Sequence, residues 1–154
     1  MKRNAQEECP SCATMGAPAA RSAEAERPLS HWPIQIKLIG TVAPFLNNAD
    51  LLVAADCTAF ATRGFHDDYL RGRKLLIGCP KLDGGQLYVD KFTEIFSNIP
   101  IKSVGVLRME VPCCGGMTAI LAEAIRRSGR DIPLRETIVG VAGGLVGERD
   151  VPLS

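Results

Sequence analysis

At 154 residues with a formal charge of +1, the chain has the length of one domain and no charge excess to attract nucleic acid. One Trp and two Tyr are too few for a platform that stacks single-stranded bases. No apolar run approaches the roughly 18–20 residues of a membrane span, and Met1–Cys12 lacks the apolar segment of a secretory signal. A cytoplasmic location is therefore expected, without nucleic-acid or membrane partners. Disulfides are rare in the reducing cytosol, so the six cysteines read as ligands or redox groups.

Residues 1–28 read as a flexible tail: Ala, Glu, Arg and Pro dominate its second half and apolar bulk is sparse. Cys9-Pro10-Ser11-Cys12 lies within it. The folded unit is expected over residues 29–154. Residues 33–39 alternate apolar and polar side chains, the pattern of a half-buried strand introduced by His31 and Trp32, with Trp32 as a plug of the core or its edge. Residues 50–55 form a continuous apolar run, as in a strand covered on both faces. A helix is expected over residues 59–70, with His66 late in it as a surface or capping residue rather than a ligand. A second apolar strand spans 74–78 and a helix 86–97. A third strand spans 103–107, followed by a helix over 116–128 that stops on Ser128-Gly129 among Arg126, Arg127 and Arg130. Residues 137–141 read as the last strand, and Gly143, Gly144 and Gly147 as a flexible end. Strands alternating with helices predict an α/β domain with a mainly parallel sheet of about five strands and helices on both faces.

The strand ends carry the chemistry. The run 50–55 leads into Asp56-Cys57, the run 74–78 into Cys79-Pro80, and the third strand into Cys113-Cys114-Gly115-Gly116. In open α/β sheets the carboxyl edge is where ligands bind. One cysteine after a strand is usually a small buried hydrophobe; three such loops, one with a vicinal pair, favour a shared site. Cys113 and Cys114 open a helix, so free backbone N–H groups and the positive end of its dipole favour thiolates.

Thiolate-rich sites suit iron–sulfur clusters or zinc. Structural zinc draws on closely spaced Cys pairs, and only Cys9 and Cys12 have that spacing. Four thiolates spread over three loops fit a cuboidal cluster better. The expected ligands are Cys57, Cys79, Cys113 and Cys114, with Cys9 as a substitute or fifth thiolate. Zinc is the alternative metal. A third reading makes Cys113-Cys114 a disulfide, persulfide or sulfur-transfer pair. Asp56 and Glu110 flank the cysteines, either tuning them or fixing the loop backbone. Lys81 and Asp83 shape a turn. No G-x-G-x-x-G follows a strand, and no phosphate loop, zinc-protease motif or nucleophilic serine motif is present. The sequence assigns no reaction.

Leu29-Ser30-His31-Trp32-Pro33, Ala54-Ala55-Asp56-Cys57, Gly78-Cys79-Pro80-Lys81-Leu82-Asp83 and Met109-Glu110-Val111-Pro112-Cys113-Cys114-Gly115-Gly116 resemble the C-terminal domain of ferredoxin-like (4Fe-4S) iron–sulfur proteins of anaerobic bacteria. The resemblance runs from about Leu29 to Val141 and implies a Rossmann-like three-layer domain holding a [4Fe–4S] cluster on Cys57, Cys79, Cys113 and Cys114. Electron transfer does not carry over from the family, whose ferredoxin label belongs chiefly to another module; the leading reading is an iron–sulfur protein that passes electrons to a redox partner protein or serves an anaerobic metalloenzyme system, with a homo-oligomer possible. The dicluster ferredoxin module that precedes this domain in the family is not found here, and Cys9-Pro10 is similar to an element of the family's linker.

Overall fold

A computed structural model describes residues 28–154. Within β1 (Asp50–Ala55), Leu51 and Val53 point to one face of the sheet and Leu52 and Ala54 to the other, and all four are buried. Burial on both faces is why this run is apolar without alternation. The same holds for β2 (Lys74–Gly78) and β3 (Ser103–Met109). With β4 (Leu134–Val139) and β5 (Leu145–Asp150) they form a five-stranded sheet in the order β2-β1-β3-β4-β5. The first four strands are parallel and β5 runs antiparallel to β4.

The order dictates the layers. From β1 the chain moves outward to β2, then crosses back over β1 to reach β3, so right-handed connections fall on opposite faces. The two long helices, α3 (Gly85–Asn98) and α4 (Gly116–Ser128), follow β2 and β3 and therefore share a face, where they pack on each other. Tyr88, Phe92 and Phe96 of α3 meet Met117, Leu121 and Ile125 of α4 in the larger core cluster. The opposite face holds a smaller cluster, in which Phe65 and Leu70 cover Leu52, Ala54, Leu75 and Leu107.

Four local expectations need correction. Residues 33–39 are not a strand. Ile36 donates its N–H to Ile77 O (3.0 Å) and Ile77 to Ile34 O (2.7 Å), but Leu38 and Ile39 both turn back to Gln35 O. The buried pair is Ile36 and Ile39, a turn spacing that leaves Leu38 70% exposed. Trp32 is exposed rather than a plug. Residues 59–70 are not one helix: α1 (Thr58–Ala61) ends at Thr62, whose extended backbone follows a hydroxyl bond to Thr58 O (2.7 Å). Gly64 then leads into a π-helical segment, Phe65–Leu70. Nor is the glycine-rich end loose. The Gly143 N–H donates to Gly140 O and the Gly140 N–H to Gly144 O, both at 2.8 Å, and Gly143 takes the positive φ of 89° that this tight turn into β5 requires.

One buried charge fastens the sheet's far side. Glu136 of β4 is only 1% exposed. Arg108 Nε (2.7 Å) and Thr118 Oγ1 (2.6 Å) donate to its Oε1, and Arg149 Nε (2.6 Å) to its Oε2. Burial alone would raise this carboxyl, but the three donors and the Arg108 charge hold it down at about 2. One side chain thus joins β3, β4, β5 and α4. Among the described residues no helix is long and apolar enough to cross a membrane.

Candidate functional site

The sheet order seats β1 between β2 and β3, so the loops leaving these three strands are immediate neighbours, with strands about 4.8 Å apart. It also makes β1 the point from which the chain departs to one side and later continues on the other, the switch point where open α/β sheets take ligands. The β1–β2 ladder runs up to the site, with the Asp56 N–H donating to Gly78 O (3.1 Å). Cys57 precedes α1 and is exposed. Cys79 precedes the short helix α2 (Pro80–Asp83) and is half-buried. The α2 helix in turn touches the 3₁₀ turn Pro112–Cys114, which joins the second and third cysteine loops above the end of β1.

The vicinal pair divides. Pro112 starts the 3₁₀ turn after extended Val111, and the Cys114 N–H closes it on Val111 O (3.1 Å). Successive residues on such a turn point about 120° apart. Cys113 faces solvent, whereas Cys114 is 6% exposed and packs with Phe65 and Met109 in the smaller apolar cluster. Burial pushes the Cys114 thiol up, a hydrogen bond with the Met109 backbone opposes this, and the neighbouring Cys113 and Cys57 thiols push it up further. Cys113 and Cys57 thus both lie close to Cys114, and Cys79 stands on the adjoining loop. Among the described residues, no group of three or more His, Cys, Asp or Glu side chains has the spacing that holds a single metal ion. Cys9 and Cys12 lie outside the described residues.

Of the flanking groups, Glu110 fixes backbone, accepting the Val141 N–H at 3.3 Å. His66 is exposed beside Phe65. His31 lies at the other end of β2, where Nε2 accepts the Leu75 N–H (2.9 Å) and the ring stacks on Phe45. Asp56 behaves differently: its Oδ1 is buried without a hydrogen-bond partner. Burial, then the Asp83 charge, raises its carboxyl.

Sequence reasoning missed Tyr88. It reads as an ordinary core position of amphipathic α3, yet its hydroxyl donates to Asp83 Oδ2 directly under the Cys79 turn. Burial first, then the Asp83 bond, pushes the phenol far above its usual range. The available signal was Gly78. A Cβ at that position would fall 2.1 Å from the Tyr88 hydroxyl and 2.8 Å from Ile36 Cδ1, so only glycine lets the phenol pass. Gly78→Ala is expected to cost about 1–3 kcal/mol through overpacking, read as a lower urea midpoint; an unchanged midpoint would mean that the phenol has room to move aside.

Residues 43–153 match a family described as Rossmann-like domain. The chain is also 29% identical over 117 residues to an uncharacterized protein of Archaeoglobus fulgidus, a match covering 76% of this chain and 82% of that protein. No solved structure matches it. With a parallel α/β sheet and a family match across most of its length, the chain belongs to the Rossmann-like domain family.

Proposed function

We propose that this chain is an iron–sulfur protein that passes electrons, or serves an anaerobic metalloenzyme, from the carboxyl edge of its sheet. The observation that carries the reading is the delivery of Cys57, Cys79, Cys113 and Cys114 by three adjacent strand ends. The donors are thiols, a set that suits an iron–sulfur cluster. The four motifs shared with ferredoxin-like (4Fe-4S) proteins support the same cofactor. Cys57, Cys79, Cys113 and Cys114 would hold the cluster, and a bound cluster would supply one-electron exchange. The chain's own residues do the rest. Phe65 and Met109 exclude water behind Cys114. Exposed Cys57 and Cys113 leave the edge open to a redox partner protein. Phe60 and Leu82, each three residues after a cysteine, are 93% and 81% exposed and give that edge an apolar rim for the partner.

A second reading has one observation in its favour. Cys113 and Cys114 are adjacent in the chain, one exposed and one buried, as in a thiol pair with an attacking and a resolving member. Anaerobic reconstitution with iron and sulfide separates the two. The expected product is brown, absorbs near about 400 nm, and keeps iron and sulfide through gel filtration. A colourless protein carrying zinc, or a metal-free one in which mild oxidant joins Cys113 to Cys114, would replace the cluster reading.

A further inference from the structure

We propose that Tyr88 is the positioning residue of the cysteine edge: through Asp83 it ties the Cys79 turn to α3 and so fixes where that thiol points. The Asp83 N–H donates to the Cys79 carbonyl oxygen (3.0 Å), seconded by the Leu82 N–H (3.2 Å). The Tyr88 hydroxyl donates to Asp83 Oδ2. The phenol oxygen also lies against the backbone that leads into Cys79, only 2.1 Å from where a Cβ on Gly78 would fall. Lys37 Nζ, 3.8 Å from Asp83 Oδ1, balances the carboxylate from outside.

The hydroxyl asks for a local explanation. Tyr88 is 0% exposed, in the same cluster as Phe92, Phe96 and Ile36. A phenylalanine would fill that space without burying a polar group, which costs free energy wherever its hydrogen bonds do not repay desolvation. The partner of this hydroxyl, Asp83, belongs to the Cys79 turn, and the chain gives up a side chain at Gly78 to let it through. The tie also differs from an ordinary turn, because its anchor comes from α3, a rigid element of the core, rather than from the loop itself.

This inference holds for the metal-free chain; only its consequence for a cofactor rests on the iron–sulfur reading. The test compares Tyr88→Phe and Asp83→Asn with the parent chain, anaerobic and metal-free, by amide exchange and by iodoacetamide labelling resolved for each cysteine. In Tyr88→Phe the Asp83 amide, which donates to the Cys79 carbonyl, should exchange about tenfold faster as the turn loses the hydrogen bond that anchors it. The Cys79 thiol should be alkylated severalfold faster, with Cys113 unchanged. Asp83→Asn keeps a side-chain oxygen for the hydroxyl and should behave as the parent. Equal acceleration at Cys79 and Cys113 would reveal general loosening, and an unaltered Cys79 would show that the tie does not hold the turn; either overturns the proposal. If Tyr88→Phe does not fold, Asp83→Ala removes the anchor while leaving the phenol, and the same labelling pattern decides. With iron and sulfide loaded, Tyr88→Phe should shift the midpoint potential at full iron content. A parent chain that takes up no iron would sink the cluster reading and leave the labelling result to judge Tyr88.

Discussion

Glu136→Ala is expected to lose about 3–5 kcal/mol of folding stability, the penalty for removing one member of a buried ion pair. Arg108 has a side chain only 15% exposed and would keep its charge with no carboxylate to face. Thr118 would lose its acceptor and β5 one of its side-chain ties to the rest of the sheet. Arg149→Ala should cost much less, because its side chain is 66% exposed and Glu136 would retain two donors. The same carboxylate sets an acid limit. Its folded value of about 2 lies below the ordinary glutamate value, so its stabilisation is complete above about pH 4.5 and disappears as pH falls toward 2. The total is about 3 kcal/mol by linkage. Urea unfolding at a series of acidic pH values should show this slope in the parent chain and a flatter one in Glu136→Gln. Equal slopes would mean that other carboxylates govern acid unfolding.

The second large effect concerns the thiols. Cys57→Ala, Cys79→Ala, Cys113→Ala and Cys114→Ala should each lose most of the iron and sulfide that the parent retains after anaerobic reconstitution, since a cubane normally takes four protein ligands. Cys114→Ala carries an additional cost of about 1 kcal/mol in the metal-free protein, because it removes a packed sulfur from the apolar cluster. The three other variants remove a solvent-exposed or half-buried thiol and should melt like the parent without metal. This difference separates damage to the fold from loss of a ligand. Full iron and sulfide in Cys113→Ala would strike that residue from the set and shift weight to Cys9 or to a reactive vicinal pair.

The parallel strands were legible in the sequence because burial on both faces forces an uninterrupted apolar run, and Leu51 to Ala55 is such a run. The helix Gly116–Ser128 was legible to the residue, since Ser128-Gly129 ends it where the pattern ends. The edge of the sheet was not. In β5, Glu148, Arg149 and Asp150 are held by cross-strand charges to Arg135 and Glu136, and such partners leave no periodic trace. Residues 33–39 misled in the opposite direction, because a turn that buries Ile36 and Ile39 mimics alternation over a short window. The cysteine loops could be placed from the strand ends alone. The divided fate of Cys113 and Cys114, and the hydroxyl beneath Cys79, depend on a 3₁₀ turn and on a helix from elsewhere in the chain.

The central seat of β1 carries a consequence for the order of events in a cell. During synthesis Cys57 and Cys79 emerge early, but β1, which leads to Cys57, gains its second neighbour only after β3 has been made and threaded beside it. The edge therefore does not exist on the nascent chain until residues beyond Cys114 have left the ribosome, some seconds later at about 5–20 residues per second. A cofactor destined for these thiols would meet a finished scaffold whose two apolar clusters already hold the loops together. Delivery would then follow translation, onto a folded acceptor, and a cell short of iron or sulfide would accumulate an intact empty protein rather than an unfolded one.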